Sequence, residues 1–336
     1  MNGILNVYKE PGFTSHDVVA KLRGICKQQK IGHTGTLDPE ASGVLPVCLG
    51  SATKLCELLT QKDKEYRAVM LLGCETDTQD TTGTVLSERE VTASEEEVRE
   101  TVLSFTGHYD QIPPMYSALK VNGQKLCDLA RAGKVVERKS RPVTIHSIEI
   151  EEVSLPRVTM TVSCSRGTYI RTLCHDIGQK LGCGAAMEKL VRTKSGRFGL
   201  DQAYRLSEIQ QLSDEGRLAE ILMPVEAVFE GLLALQVTEG GQKLLENGNP
   251  LECRHVRAIE TASDGLMDAE KRSADTDPEG VFEDGMQARV YDKSGNFTGV
   301  YEWRKAEMRF KPVKMFFGKS SRKGNGQKNA DHFRDG

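Results

Sequence analysis

The chain has 336 residues, 38% of them hydrophobic and 28% charged, and a net charge of −3. This is a globular balance with enough apolar material for a sizeable core, in one large domain or two of roughly 100–200 residues. No apolar run approaches the roughly 20 residues of a membrane helix, and MNGILNVYKEPG lacks the basic and apolar regions of a signal peptide. A cytoplasmic protein is therefore expected.

Residues 1–110 alternate helical and strand patterns. Ser15 is placed to cap a helix whose apolar stripe is Val18, Leu22, Ile25 and Cys26. GVLPVCLG (43–50) reads as a buried strand, Ser51 as the opening of a short helix, and KEYRAVMLLG (64–73) as a second strand. Ser94 and Glu97 form a capping box ahead of Val98, Val102 and Phe105, with Gly107 as the stop. Residues 111–142 look inserted and carry Lys120, Lys125, Arg131, Lys134, Arg138, Lys139 and Arg141. Such a run is either a solvated charged loop or a clamp on phosphates.

The core resumes at 143–229, closing a first domain over 1–229. Val158, Met160, Val162 and Cys164 alternate with polar residues, as in a strand with one buried face. After the turn SRG, Ile170, Leu173, Cys174, Ile177 and Leu181 form a helical stripe ended by Gly182. Tyr169, Arg171 and Thr172 lie off that stripe. From about residue 230, short strands and Gly-rich turns predict a small, mostly β domain over 230–318, interrupted by an acidic segment at 258–284. The tail 319–336 has almost no apolar content and reads as disordered.

The segment 258–284 holds nine acids against Lys271 and Arg272, which leaves a modest positive balance on the rest of the chain. That balance permits an RNA partner without demanding one. Nine cysteines, with no C-x-x-C pair, read as reduced core thiols rather than zinc ligands, and no histidines have metal-ligand spacing.

The densest candidate for chemistry is KIGHTGTLDPEASGVLPVCLG, residues 30–50. Its glycines allow close backbone approach, and Pro39 and Pro46 fix the path. Asp38 sits on this turn just before the buried strand. On pattern alone it is either a turn residue capping backbone amides or a functional carboxylate on a rigid support.

This segment resembles the signature of the bacterial TruB-type tRNA pseudouridine-55 synthases. So do NVYKEPGFTSHDVV (6–19), ATKLCELL (52–59), KEYRA (64–68), LGCETDTQDTTG (72–83), QIPPMYSALKVNGQKLCDLARAG (111–133), CSRGTYIRTLCHDIGQKLGCGA (164–185) and NGNP (247–250), in the family's order. The resemblance implies an α+β catalytic domain around a mixed, largely antiparallel sheet, with a small C-terminal mostly β, PUA-like domain. It implies isomerisation of the T-loop uridine of tRNA to pseudouridine. Asp38 matches the family's catalytic aspartate and Tyr66 the tyrosine that stacks on the target base. Tyr169 and Arg171 match a pocket tyrosine and the arginine that pairs with the aspartate. His33 matches the histidine that enters the T-loop, and Leu190 a pocket leucine. Lys9 and Lys54 match lysines near the site.

The chemistry agrees with those residue types. Breaking N1–C1′ and forming C5–C1′ oxidises nothing and adds nothing, so no cofactor, ATP or metal is expected. An ionised carboxylate can attack, or stabilise an oxocarbenium-like centre. A guanidinium favours that ionised form, and an aromatic face replaces the stacking that a flipped base loses. The C5 proton requires a base, and Tyr66 and Asp38 both remain open for it. Two other readings compete with the enzyme: a tRNA-folding module, and a guide-RNA-directed synthase. A monomer acting on the tRNA T-arm, without guide RNA or protein partner, is expected.

Overall fold

The computed structural model describes residues 1–259 and 282–316, which fall into two compact units. The first is built from Gly3–Leu49 and Leu55–Leu222, the second from Gly50–Lys54 and the described residues from Met223 onward. Most of the acidic segment 258–284, and the tail 319–336, lie outside the described residues.

In chain order the first unit contains β1 (Gly3–Lys9), α1 (Ser15–Ile25), β2 (Ile31–His33), β3 (Ser42–Leu49), α2 (Cys56–Thr60), β4 (Lys64–Leu72), β5 (Cys74–Thr76), β6 (Val85–Glu88) and α3 (Glu95–Leu103). It continues with β7 (Gly107–Gln111), β8 (Lys120–Val121), β9 (Gln124–Lys125), α4 (Leu126–Arg131), β10 (Arg141–Ser154), β11 (Arg157–Cys164), α5 (Ile170–Leu181), β12 (Ala185–Ser195), β13 (Phe198–Gly199) and α6 (Leu206–Asp214). Nine strands form one sheet in the order β1-β3-β12-β4-β11-β10-β7, with β2 beside β3 and β13 beside β12. Only β3 and β12 run parallel, over Ser42↔Val191 and Gly43↔Arg192. The sheet is thus mixed and largely antiparallel, as expected.

Two cores hold it. Val18 and Leu22 of α1 and Ile209 of α6 meet Leu45 and Val47. The stripe Ile170, Leu173, Cys174 and Ile177 of α5 meets Ala68, Met70, Met160 and Val162. Each fully buried Val, Leu, Ile or Met among them contributes about 1.5–3 kcal/mol of transfer free energy. All eight residues of β3 are buried, which explains its unbroken apolar run. Cys26, Cys48, Cys164, Cys174 and Cys183 are buried, the other four cysteines are half-buried, and none forms a disulfide.

Some local expectations shift. The cap of α1 is Thr14, in a capping box with Asp17, because Ser15 is buried and engaged elsewhere. After Ser51 the chain makes a 3₁₀ turn over Gly50–Leu55 before α2. The Ser94–Glu97 capping box is present, but α3 ends at Leu103 and Gly107 opens β7 instead. Gly182 caps α5 in the left-handed region at φ 79°, as its position predicted.

The second unit is mostly β: β14 (Leu233–Val237), α7 (Glu239–Glu246), β15 (Val256–Ala258), β16 (Gln287–Tyr291), β17 (Phe297–Arg304) and β18 (Arg309–Met315). Its sheet runs β15-β14-β16-β17-β18 around Leu235, Leu245, Tyr301, Trp303 and Phe310. No described helix is long and apolar enough to cross a membrane.

Candidate active site

Asp38 lies in the turn between β2 and β3, and three side chains hold that turn by its main chain. At the start of α1, Ser15 Oγ accepts the Leu37 N–H at 2.9 Å. At the end of β1, Lys9 Nζ donates to the carbonyls of Pro39 at 2.9 Å and Ala41 at 2.6 Å. From β12, Arg192 donates to the carbonyls of Val44 at 2.7 Å and Gly35 at 3.3 Å. Lys9 and Arg192 are 0% and 1% exposed. Neither forms an ion pair among the described residues; carbonyl dipoles stand where carboxylates usually would. Burial lowers the Lys9 pKa to about 8, with the charges of Glu40 and Asp38 opposing. Gly43 adopts φ 106°, and a Cβ there would sit 2.2 Å from the main-chain oxygen of Arg192. Only glycine lets β3 run this close to β12.

The Asp38 carboxylate meets Arg171 through both oxygens: Nε to Oδ2 at 3.1 Å and Nη2 to Oδ1 at 3.3 Å. Arg171 is the second residue of α5, and its side chain is 6% exposed against 40% for Asp38. The guanidinium is therefore sealed beneath a carboxylate that reaches solvent. Its Nη1 also meets Asp80 Oδ2 at 3.2 Å and the Thr78 carbonyl at 3.1 Å, while Nη2 donates to the Tyr116 carbonyl at 2.9 Å. Asp80 is fixed in turn by the hydroxyls of Thr78 and Thr82 and by the Thr82 N–H. Partial burial raises the Asp38 pKa, and Asp80 adds to the rise; Arg171 and Lys9 oppose it. Arg171 thus favours the ionised form, as expected, but burial outweighs it.

Asp38 opens on a cavity of about 240 Å³ that Ala41, Asp80, Thr82, Met187 and Leu190 also line. Leu190 lies on β12, opposite Ala68 of β4. Tyr66 stands two residues before Ala68, opposite Arg192 on one side and Val162 on the other, so Tyr66, Leu190 and Arg192 share one face of the sheet. Burial raises the Tyr66 phenol pKa, with Arg192 opposing. Tyr169 is the N-cap residue of α5; burial raises its phenol, with Ser117 and Arg171 opposing. His33 ends β2, and its Nδ1 accepts the Gly35 N–H at 3.4 Å. Burial lowers its pKa, as do the charges of His16 and Arg192.

Asp38 and Leu190 line the cavity, with Arg171 sealed behind Asp38, Lys9 beneath the turn and Tyr66 on the adjoining strand. Lys54 groups with the second compact unit, where its ammonium donates to the Met315 carbonyl at 2.5 Å. In the insertion, Lys120, Lys125, Arg131, Lys134, Lys139 and Arg141 are exposed. Arg138 is half-buried and donates to the Pro113 carbonyl at 3.0 Å, so it holds the insertion rather than standing free. Sequence reasoning missed Asp80, Arg192 and Ser15. Asp80 lay within the quoted stretch LGCETDTQDTTG, whose run of Thr and Asp was the available signal.

Comparison with known proteins places this geometry. Residues 23–170 match the N-terminal domain of the TruB family of pseudouridylate synthases. Residues 171–230 match the C-terminal domain of tRNA pseudouridylate synthase B. A tRNA pseudouridine synthase B of Lachnoclostridium phytofermentans is 52% identical over 94% of this chain and 100% of its own length. The Alkaliphilus oremlandii protein of the same name is 51% identical over 76% of this chain and 85% of its own. Among solved structures, a chain of a Cbf5-Nop10-Gar1 complex is 26% identical, with a TM-score of 0.65, covering 95% of this chain and 86% of that one. Two family domains matched end to end, and a relative aligned over nearly the whole chain, make this protein a member of the TruB family of pseudouridylate synthases.

Proposed function

We propose that the protein isomerises the T-loop uridine of tRNA, the base at position 55, to pseudouridine, acting as a stand-alone cytoplasmic enzyme with Asp38 as its essential carboxylate. The observation that carries this reading is the two-point pairing of Asp38 with a sealed Arg171 at the mouth of a cavity walled by Leu190 and Met187. A uridine in a folded T-loop is stacked, so it must flip out to reach such a cavity. Tyr66 then offers an aromatic face, Leu190 lines the pocket, Tyr169 stands at the start of α5 beside Arg171, and His33 supports the displaced nucleotides.

Asp38 acts either on C1′, as the N1–C1′ bond breaks, or on C6. Uracil rotates, C5 bonds to C1′, the C5 proton leaves and N1 ends protonated, so product and substrate are isomers. Of the two candidate bases for C5, Asp38 is favoured. Burial raises the Tyr66 phenol and so disfavours the phenolate that would accept the proton, whereas Asp38 returns as a carboxylate once released. Arg171 directs that carboxylate, and the exposed lysines and arginines of the insertion grip phosphates.

The deciding experiment incubates purified protein with a bare T-arm hairpin and maps pseudouridine. Product without added guide RNA or protein supports the reading. No product on the hairpin, with product when guide RNA is supplied, would favour a guide-directed enzyme.

A further inference from the structure

Gln111 ends β7, where the chain leaves the sheet for the insertion, and its side chain is 1% exposed. Its amide grips the main chain of one distant residue at both polar groups. Oε1 accepts the Tyr169 N–H at 2.8 Å, and Nε2 donates to the Tyr169 carbonyl at 3.0 Å. Nε2 also donates to the Tyr109 hydroxyl. A side-chain amide here does what a neighbouring strand would do for residue 169.

Residue 169 is where α5 departs, and it has no side-chain cap of its own. Arg171 follows two residues later and carries the contacts to Asp38. The next turn of the same segment returns to Arg171, through its bond to the Tyr116 carbonyl. Gln111 does not line the cavity, so it can act only through Tyr169 and Arg171.

We propose that Gln111 is a positioning residue: its amide fixes the main chain of Tyr169 and thereby aims Arg171 at Asp38. The assignment rests on the reading of Asp38, Arg171 and Tyr169 given above. Its physical basis is the steep dependence of rate on geometry, since misplacement by about 1 Å costs on the order of 10²-fold. A purely structural amide would instead be satisfied by any arrangement that keeps the fold.

Gln111→Met keeps the volume and removes all three bonds, the two to Tyr169 and the one to the Tyr109 hydroxyl. With folding checked by circular dichroism and thermal melts, kcat on the T-arm hairpin is expected to fall about 10- to 100-fold, with RNA affinity within about threefold. The acid limb of the rate profile separates aim from bulk structure. Arg171, Lys9 and Asp80 are the charged groups that face Asp38, beside the phenols of Tyr66 and Tyr169. Arg171 lowers the Asp38 pKa, so a misaimed guanidinium moves the acid limb to higher pH, whereas loss of folded protein lowers the amplitude and leaves the limb in place. Gln111→Glu retains an acceptor for the Tyr169 N–H and is expected to recover part of the rate. A folded Gln111→Met with wild-type kcat, or with reduced kcat and an unmoved limb, would overturn the proposal. Should that variant not fold, Gln111→Glu with wild-type rate and limb would overturn it. Wild-type protein that forms no pseudouridine would sink the functional reading and this assignment together, whereas active wild type beside an equally active Gln111→Met would sink the assignment alone.

Discussion

The Asp38 turn and the basic insertion are both loops, and they are built on opposite plans. The turn is short and partly buried, and Ser15, Lys9 and Arg192 hold its main chain. The insertion spans residues 111–142, holds only a two-residue-strand hairpin and the short helix α4, and exposes most of its cations. The difference teaches how work is divided. Chemistry needs a carboxylate fixed before the substrate arrives, because reorganising it during the reaction costs rate. Phosphate contact needs charge and reach, and tolerates adjustment on binding.

The largest effect expected from this contrast is at Asp38. Asp38→Asn keeps shape and removes the charge, so turnover should fall on the order of 10⁴-fold or more, with RNA affinity within a few-fold. Single-turnover assays beside filter binding measure both, and near-normal turnover would exclude Asp38 as the reactive carboxylate.

Gly43→Ala strikes the clasp instead. The new Cβ meets the Arg192 backbone at a positive φ, and strain plus clash should cost roughly 3 kcal/mol or more. A urea melt indistinguishable from wild type would mean that β3 and β12 separate more easily than their contacts imply.

Asp80→Asn should lower kcat about 10- to 100-fold by loosening Arg171 from its second carboxylate. The pH signature has a definite sign. Activity requires ionised Asp38, whose pKa is raised, so the wild-type rate should fall with acid at a pH above the ordinary aspartate range. Asp80 contributes to that rise, so Asp80→Asn should move the acid limb to lower pH. A shift the other way would show that Asp80 acts mainly by supporting Arg171 and not by its charge.

The smallest effect belongs to the insertion. Reversing Arg131, Lys134 and Lys139 together should leave kcat at saturating RNA unchanged, while each lost phosphate contact removes about 0.7–0.9 from the slope of log affinity against log salt. An unaltered slope would return these cations to the role of a solvated surface.

What was legible in the sequence follows from distance along the chain. Strand periodicity at Arg157–Cys164, the stripe of α5 and the glycine cap at 182 are local patterns, and all three formed as read. The candidate residues inside quoted motifs were legible through family resemblance rather than through pattern. The supporting shell was not. Arg192 reaches Val44 across 148 positions, Gln111 reaches Tyr169 across 58, and Ser15 reaches Leu37 across 22. Nothing in a serine one residue into a helix distinguishes a cap from a staple for another loop, and so Thr14 took the capping role. That residues 50–54 group with the second unit was likewise not legible from local pattern.

The hydrogens of Arg171 carry a last consequence. A guanidinium has five N–H groups, and five acceptors surround this one: both oxygens of Asp38, one of Asp80, and the carbonyls of Thr78 and Tyr116. Four of these contacts are hydrogen bonds and occupy both terminal nitrogens, while Nε meets Asp38 as an ion pair. With both terminal nitrogens engaged before RNA arrives, reading of the uracil edge falls to other groups. A lysine in its place, with three donors radiating from a single point, would leave at least two of those acceptors empty. The arginine at this position is thus a matter of counting as much as of charge.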